Sequence, residues 1–208
     1  MHEPATTLTD YLLMLQCAYF VTALARRPAG FVRNAFVVVF AAVALASFAG
    51  GTLHGFFPDP GDAVHVALWL VTLLAIGVTS AAMIAVATAI GFPAAGRGTL
   101  VVLLLAGWLL YAATVVWVRR DFAVAIAAYL PAALYLMVVL AHSWRRRRAP
   151  GAVTGIAGVV LALLGAAGQQ AGVALHPVHF DHNAVYHVVQ AVALYLLYRT
   201  ASEVGEPA

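Results

Sequence analysis

Residues 62–90, DAVHVALWLVTLLAIGVTSAAMIAVATAI, decide the class of fold, because this long apolar run holds a single carboxylate and a single histidine. A run of about 20 apolar residues is typical of a helix that crosses a membrane. The chain as a whole is 64% hydrophobic and 9% charged, and soluble domains do not have such a composition. We therefore expect an integral membrane protein built from helices.

The same apolar pattern recurs along the chain and predicts an all-α membrane protein with seven transmembrane helices. The length of 208 residues fits one domain, spanning residues 1–208. Short connectors with turn-forming residues separate the apolar segments. The predicted helices lie at residues 9–26, 33–57, 62–90, 98–118, 122–143, 152–175 and 182–201.

The basic residues predict the orientation, and all eleven are arginines. If the helices alternate in direction, only Arg119 and Arg120 lie on one side, and the others lie on the opposite side. The positive-inside rule then puts the N-terminus outside and the C-terminus in the cytoplasm. The net charge of +3 hides this asymmetry, and it indicates no nucleic-acid partner. We expect the protein in the inner (plasma) membrane of a bacterium.

Histidines gather near the predicted outer face. The segment 176–190, HPVHFDHNAVYHVVQ, holds four of the eight histidines of the chain, at the start of the last helix. His54 lies near the outer end of the second helix, and His65 lies near the outer start of the third. Imidazole is the commonest ligand of borderline metals, and polar groups within a membrane usually face a protein interior or a cavity. Three helix ends are therefore predicted to bring imidazoles to one depth.

Helical spacing divides the histidines of the last helix between faces. Asn183, His187 and Gln190 are separated by four and three residues, so they form one polar stripe. His179 extends this stripe if the helix begins a turn earlier, whereas His182 lies on a different face. Asp181 or Asn183 could instead cap the helix.

The other helices contribute fewer polar groups. Ser47 and His54 are seven residues apart on the second helix, and the glycines between them leave room for a ligand or a closely packed helix. Asp62 and His65 share a face at the start of the third helix. The first and sixth helices add Asp10, Gln16, Gln169 and Gln170. For His54 and His187 the alternative is a buried hydrogen-bonded pair without chemistry, and for His65 it is an interfacial residue.

Seven helices, an outer N-terminus, a helix-two histidine, an aspartate at the start of helix three and histidines on helix seven resemble the CREST superfamily. This superfamily includes the alkaline ceramidases and the progestin and adipoQ receptors. The resemblance implies zinc bound by His54, His187 and either His182 or His179, because Asn183 stands where the family has a second helix-seven histidine. It also implies catalytic roles for Asp62 and for Ser47, since Gly50 occupies the usual serine position. Asn183, Gln190, His65 and Asp181 would surround the site.

The function expected from these features is zinc-dependent hydrolysis of an amide or ester bond in a membrane lipid, at a site near the outer face. A catalytic zinc ion with three nitrogen ligands and an open position lowers the pKa of bound water to about 7. Two alternatives remain open. One is a metal-binding, sensor or transport protein without enzymatic activity, and the other is a structural membrane subunit.

Overall fold

The computed structural model describes residues 1–177 and 179–204 and contains seven α-helices within these ranges. A short π-helical segment, Thr114–Val118, continues the fourth helix. The predicted all-α architecture is confirmed. The helices are α1 (Pro4–Ala25), α2 (Phe31–Phe56), α3 (Ala63–Gly91), α4 (Arg97–Ala113), α5 (Phe122–Arg147), α6 (Ala152–Gln170) and α7 (His182–Glu203).

Six of these helices, α1 to α6, are long and apolar enough to cross a membrane, with α4 counted together with its π-helical extension. This is the architecture of a helical membrane protein. The remaining helix, α7, has 22 residues, but polar side chains such as Asn183, His187 and Gln190 lower its mean hydropathy. The prediction of seven spans is therefore supported for six of the seven helices.

Two helix ends differ most from the predicted boundaries, both for local reasons. α1 begins at Pro4 rather than at residue 9, with the proline in its first turn, where a missing N–H costs nothing. α6 ends at Gln170 rather than at residue 175. Gly172 follows with a φ of +72°, a left-handed conformation that glycine adopts readily and that stops a helix.

Hydrogen bonds between helix ends show that α1 runs opposite to α2 and parallel to α7. At the N-terminal end of the bundle, the His2 backbone N–H donates to the Gly55 carbonyl at 3.2 Å, and the Thr6 hydroxyl donates to Asp181 at 2.9 Å. At the other end, Arg27 donates to the Ser202 carbonyl at 2.9 Å. We call this second end the arginine-rich end, because it contains Arg26, Arg27, Arg33, Arg97, Arg145 to Arg148 and Arg199.

Six helices form a closed ring in the order α1, α2, α3, α5, α6 and α7, with α7 returning to pack on α1. α4 lies outside the ring, packs on α3 and has no buried residue. Large buried side chains, including Phe36, Phe40, Ile90 and Leu140, fill the ring near the arginine-rich end. Phe20 stacks on Tyr198 there, with ring centroids 4.4 Å apart. The half of the ring near the N-terminal end is less completely filled.

Candidate active site

A cavity of about 600 Å³ lies inside the ring, and all six ring helices contribute to its lining. Its volume lies within the range of small-molecule pockets, about 300–1,000 Å³. Apolar side chains such as Val43, Ile76, Ile126 and Leu163 form much of the wall. The polar lining residues include Asp10, Ser47, His54, Thr72, Thr79, Tyr129, Gln169, Gln170, Asn183, His187 and Gln190.

Asp10 and His187 form a buried acid–base pair in this wall. Oδ1 of Asp10 lies 3.4 Å from Nε2 of His187, and the two residues are 4% and 8% exposed. The Ser47 hydroxyl donates a hydrogen bond to the Asp10 carboxylate. Burial of ionisable groups is costly unless they are paired or hydrogen-bonded, and this pair satisfies that requirement with residues from α1, α2 and α7.

Thr9 determines which nitrogen of His187 can exchange a proton. The Thr9 hydroxyl lies 2.8 Å from the Ala5 carbonyl and 3.0 Å from the Thr6 carbonyl, so it donates its own proton to the backbone. Its oxygen lies 3.0 Å from Nδ1 of His187, and with the hydroxyl proton on a backbone carbonyl it accepts from that nitrogen. With Nδ1 protonated, Nε2 is the atom that gains or loses a proton, and Nε2 faces Asp10.

Glycines of α2 bring Asp10 to its position. A Cβ atom at Gly51 would lie 2.8 Å from Cβ of Asp10, and one at Gly50 would lie 3.3 Å from Oδ2 of Asp10. A Cβ atom at Gly55 would meet Thr7 at 2.9 Å. Gly51 allows close packing of α1 on α2, because small residues let helix backbones approach, whereas Gly50 both packs against Asp10 and lines the cavity.

His54 lines the same cavity but has a different partner. Its Nδ1 lies 2.8 Å from Oε2 of Glu3, and the side chains of His54 and Glu3 are 26% and 45% exposed. This contact joins the end of α2 to the residue that precedes α1. His54 is therefore more accessible than His187, although both contribute to the cavity wall.

The predicted polar stripe of α7 is confirmed as part of the cavity wall, because Asn183, His187 and Gln190 all line it. Oδ1 of Asn183 accepts a hydrogen bond from Nε2 of Gln169 at 2.8 Å. Gln190 forms a side-chain hydrogen bond with Tyr129 of α5. These bonds connect α7 to α6 and α5 and place amide and phenol groups beside the Asp10–His187 pair.

Three other residues predicted for the site lie at helix ends. Asp62 is the N-cap of α3, and its carboxylate accepts from the Val64 N–H at 2.7 Å. Asp181 caps α7 by accepting from the Ala184 N–H at 2.9 Å, as the sequence allowed. Nδ1 of His65 lies 2.7 Å from the carbonyl oxygen of Phe57. Asp62, Asp181 and His65 do not line the cavity. At its position before Ala63, Asp62 caps α3.

The predicted zinc ligands are not brought together as a set. His54 and His187 line the cavity, whereas His179 and His182 do not. His179 is exposed, and its ring stacks on His176 with centroids 4.6 Å apart. Across residues 1–177 and 179–204, no three His, Cys, Asp or Glu side chains are grouped as ligands of one metal ion. The side-chain arrangement thus does not fit the three-histidine zinc site that the resemblance implies.

The sequence indicated Asp10 as a polar residue of the first helix, without a role in the site. The structure places it six residues after Pro4, the first residue of α1, in contact with α2 and α7. The available signal was a carboxylate within the N-terminal apolar segment, since such groups are costly in a membrane and usually functional. The partner on α7, 177 positions away, could not be identified from spacing along the chain.

Comparison with known proteins gives one family-level match. The model of a family of unknown function, DUF6962, matches residues 5–206 and so covers nearly the whole chain. Searches of curated proteins and of solved structures found no match. The chain belongs to the DUF6962 family.

Proposed function

We propose that this protein is an intramembrane hydrolase that cleaves an ester or amide bond in a membrane lipid, with Asp10 and His187 as its proton-handling pair. The observation that carries the proposal is the buried Asp10–His187 contact of 3.4 Å in the wall of a largely apolar cavity. Ionisable side chains buried in a membrane protein are costly in free energy and usually have a function. The apolar wall suits an acyl chain, and the polar groups suit a lipid carbonyl and headgroup.

In the proposed reaction, a water molecule attacks the carbonyl carbon of the lipid while its proton passes to the Asp10 carboxylate, which shares that proton with Nε2 of His187 across the 3.4 Å contact. The Asp10 carboxylate stabilises the positive charge that His187 then carries, and Ser47 and Thr9 hold the two side chains in place. Breakdown of the tetrahedral intermediate breaks the bond to the leaving oxygen or nitrogen, which takes the proton from this pair. The products are a fatty acid and an alcohol or amine. General acid–base catalysis of this kind contributes about 10²–10⁴-fold.

Three kinds of lipid test the proposal. The purified protein, reconstituted in phosphatidylcholine liposomes, is incubated with ceramides, N-acyl lipids and lysolipids, and released fatty acid is measured by mass spectrometry. Release from at least one of these, above protein-free liposomes, supports the proposal. Binding of these lipids without any release would instead support the non-enzymatic alternative.

The zinc that the resemblance implies remains a separate prediction, and no step above depends on it. Elemental analysis of the purified wild type beside His54→Ala tests it. The prediction requires about one zinc ion per chain in the wild type and its loss in the variant. An active protein that carries no stoichiometric metal would contradict it without affecting the role of Asp10 and His187.

We propose further that all seven helices cross the membrane, with the cavity toward the outer face of a bacterial plasma membrane. The distribution of arginines supports this orientation. In a Cys17→Ser background, Pro150→Cys between α5 and α6 should react with a membrane-impermeant maleimide only after cells are permeabilised. Arg120→Cys, between α4 and α5, should react in intact cells. The reverse pattern would show that the cavity faces the cytoplasm.

A further inference from the structure

The cavity wall is interrupted between α5 and α6. Of the described residues that line the cavity, Leu130 of α5 and Ala167 and Gln170 of α6 are exposed, whereas those of the other four helices are buried or partly buried. Leu130 is 42% exposed. The concentration of exposed lining residues on α5 and α6 indicates that the cavity opens between these two helices.

The packing of α5 and α6 explains the position of this gap. Near the arginine-rich end the helices are in close contact, since a Cβ atom at Gly155 would lie 2.8 Å from Cδ1 of Leu140. Farther along α6, Gly158 and Gly165 face α7 rather than α5, with Ala193 and Val189 as their near neighbours. Toward the N-terminal end, Gly158 and Gly165 therefore bring α6 close to α7 and not to α5.

The outer surface around the gap is apolar. Leu134, one turn beyond Leu130, is 41% exposed, and Leu164, one turn before Ala167, is 63% exposed. No charged residue occurs in residues 122–140 or 152–170. Since both helices are long and apolar enough to cross a membrane, this surface faces hydrocarbon rather than water.

We infer that the gap between α5 and α6 is a lateral portal through which the acyl chain of a bilayer lipid reaches the cavity. The inference deepens the proposed function, because it makes the substrate a lipid that is resident in the membrane rather than one taken up from water. Behind the portal, Ile126 and Leu163 continue the apolar wall into the cavity. Of the three exposed lining residues Leu130, Ala167 and Gln170, Gln170 is the polar one, and it is the last residue of α6.

Two alanines of α6 provide a matched test, because Ala157 and Ala167 are both exposed and only Ala167 lines the cavity. Two substrates with the same scissile bond, one that the wild type hydrolyses, are compared. The first is a long-chain lipid in liposomes, and the second is its soluble butyryl analogue. Ala167→Trp should slow the long-chain substrate at least about tenfold, which is about 1.4 kcal/mol of barrier, and change the butyryl substrate little. Ala157→Trp should change neither rate. Equal slowing of both substrates by Ala167→Trp, or the same effect from Ala157→Trp, would overturn the portal.

A binding measurement separates failure of the portal from failure of the proposed function. A long-chain fatty acid with a terminal diazirine is added to the same liposomes, and labelled peptides are identified by mass spectrometry after irradiation. We expect labelling of peptides that contain Ile126 and Leu163, reduced in Ala167→Trp and unchanged in Ala157→Trp. This pattern in a protein that hydrolyses nothing would refute the hydrolase and support the portal. Labelling that Ala167→Trp leaves unchanged would refute the portal whatever the activity.

Discussion

Substitution of His187 by Ala is expected to lower lipid hydrolysis by about 10²–10⁴-fold, the usual contribution of a positioned acid or base. Asp10→Asn should have an effect of similar size, because an amide cannot stabilise the positive charge that forms on His187. Initial rates of fatty-acid release, measured with saturating lipid in liposomes, test both variants. The double variant should be little worse than either single one, since the residues act as a unit.

Matched controls distinguish this prediction from a general effect of the substitutions. Asp62→Asn makes the same change at the N-cap of α3, where Asn caps about as well as Asp, so activity should stay close to that of the wild type. His142→Ala removes an exposed histidine from α5 near the arginine-rich end and should also be harmless. Loss of activity in a folded Asp62→Asn protein would support the catalytic role predicted for Asp62. Near-wild-type activity in a folded Asp10→Asn protein would reject the role of Asp10.

The second large effect is expected from Gly51→Leu. A Cβ atom at Gly51 would lie 2.8 Å from Cβ of Asp10 and 3.3 Å from the Thr7 carbonyl oxygen. A leucine at this position must therefore push α1 away from α2. Overpacking of this kind typically costs about 1–3 kcal/mol. We expect a lower midpoint of thermal unfolding in detergent, together with loss of hydrolysis, because Asp10 moves away from both Ser47 and His187.

Gly107→Leu is the control for this substitution. Gly107 lies on α4, outside the ring, and a Cβ atom there would have no neighbour within 4 Å. The same change should leave both the unfolding midpoint and the activity nearly unaltered. A Gly51→Leu protein with wild-type stability and rate would show that the close approach of α1 and α2 is not needed to position Asp10.

Local sequence information was sufficient wherever the determining interaction is short-range. Seven helices could be placed along the chain because apolar residues must be buried or face lipid, and helix length is set by membrane thickness. The α7 stripe of Asn183, His187 and Gln190 followed from helical periodicity alone. The capping role that was open to Asp181 is likewise local, since a cap joins a side chain to a backbone N–H three residues away.

The histidines show where this reasoning ends. His54, His179, His182 and His187 were all placed near the same membrane level, and depth along a helix can be read from sequence. Depth does not specify which way a helix is rotated or at which residue it begins. Rotation places His54 and His187 in the cavity wall and His182 outside it, whereas His179 precedes α7 and is exposed.

By itself, the sequence determined that the protein is helical, that its helices are those of a membrane protein, and that one face of α7 is polar. Each of these properties depends on residues within a few turns of one another. The tertiary structure alone decided that Asp10 faces His187, that Glu3 contacts His54 and that Asp62 caps α3. The physical reason is the packing of helices: Gly50, Gly51 and Gly55 let α1 approach α2 closely enough to bring a carboxylate of the first helix to an imidazole of the last.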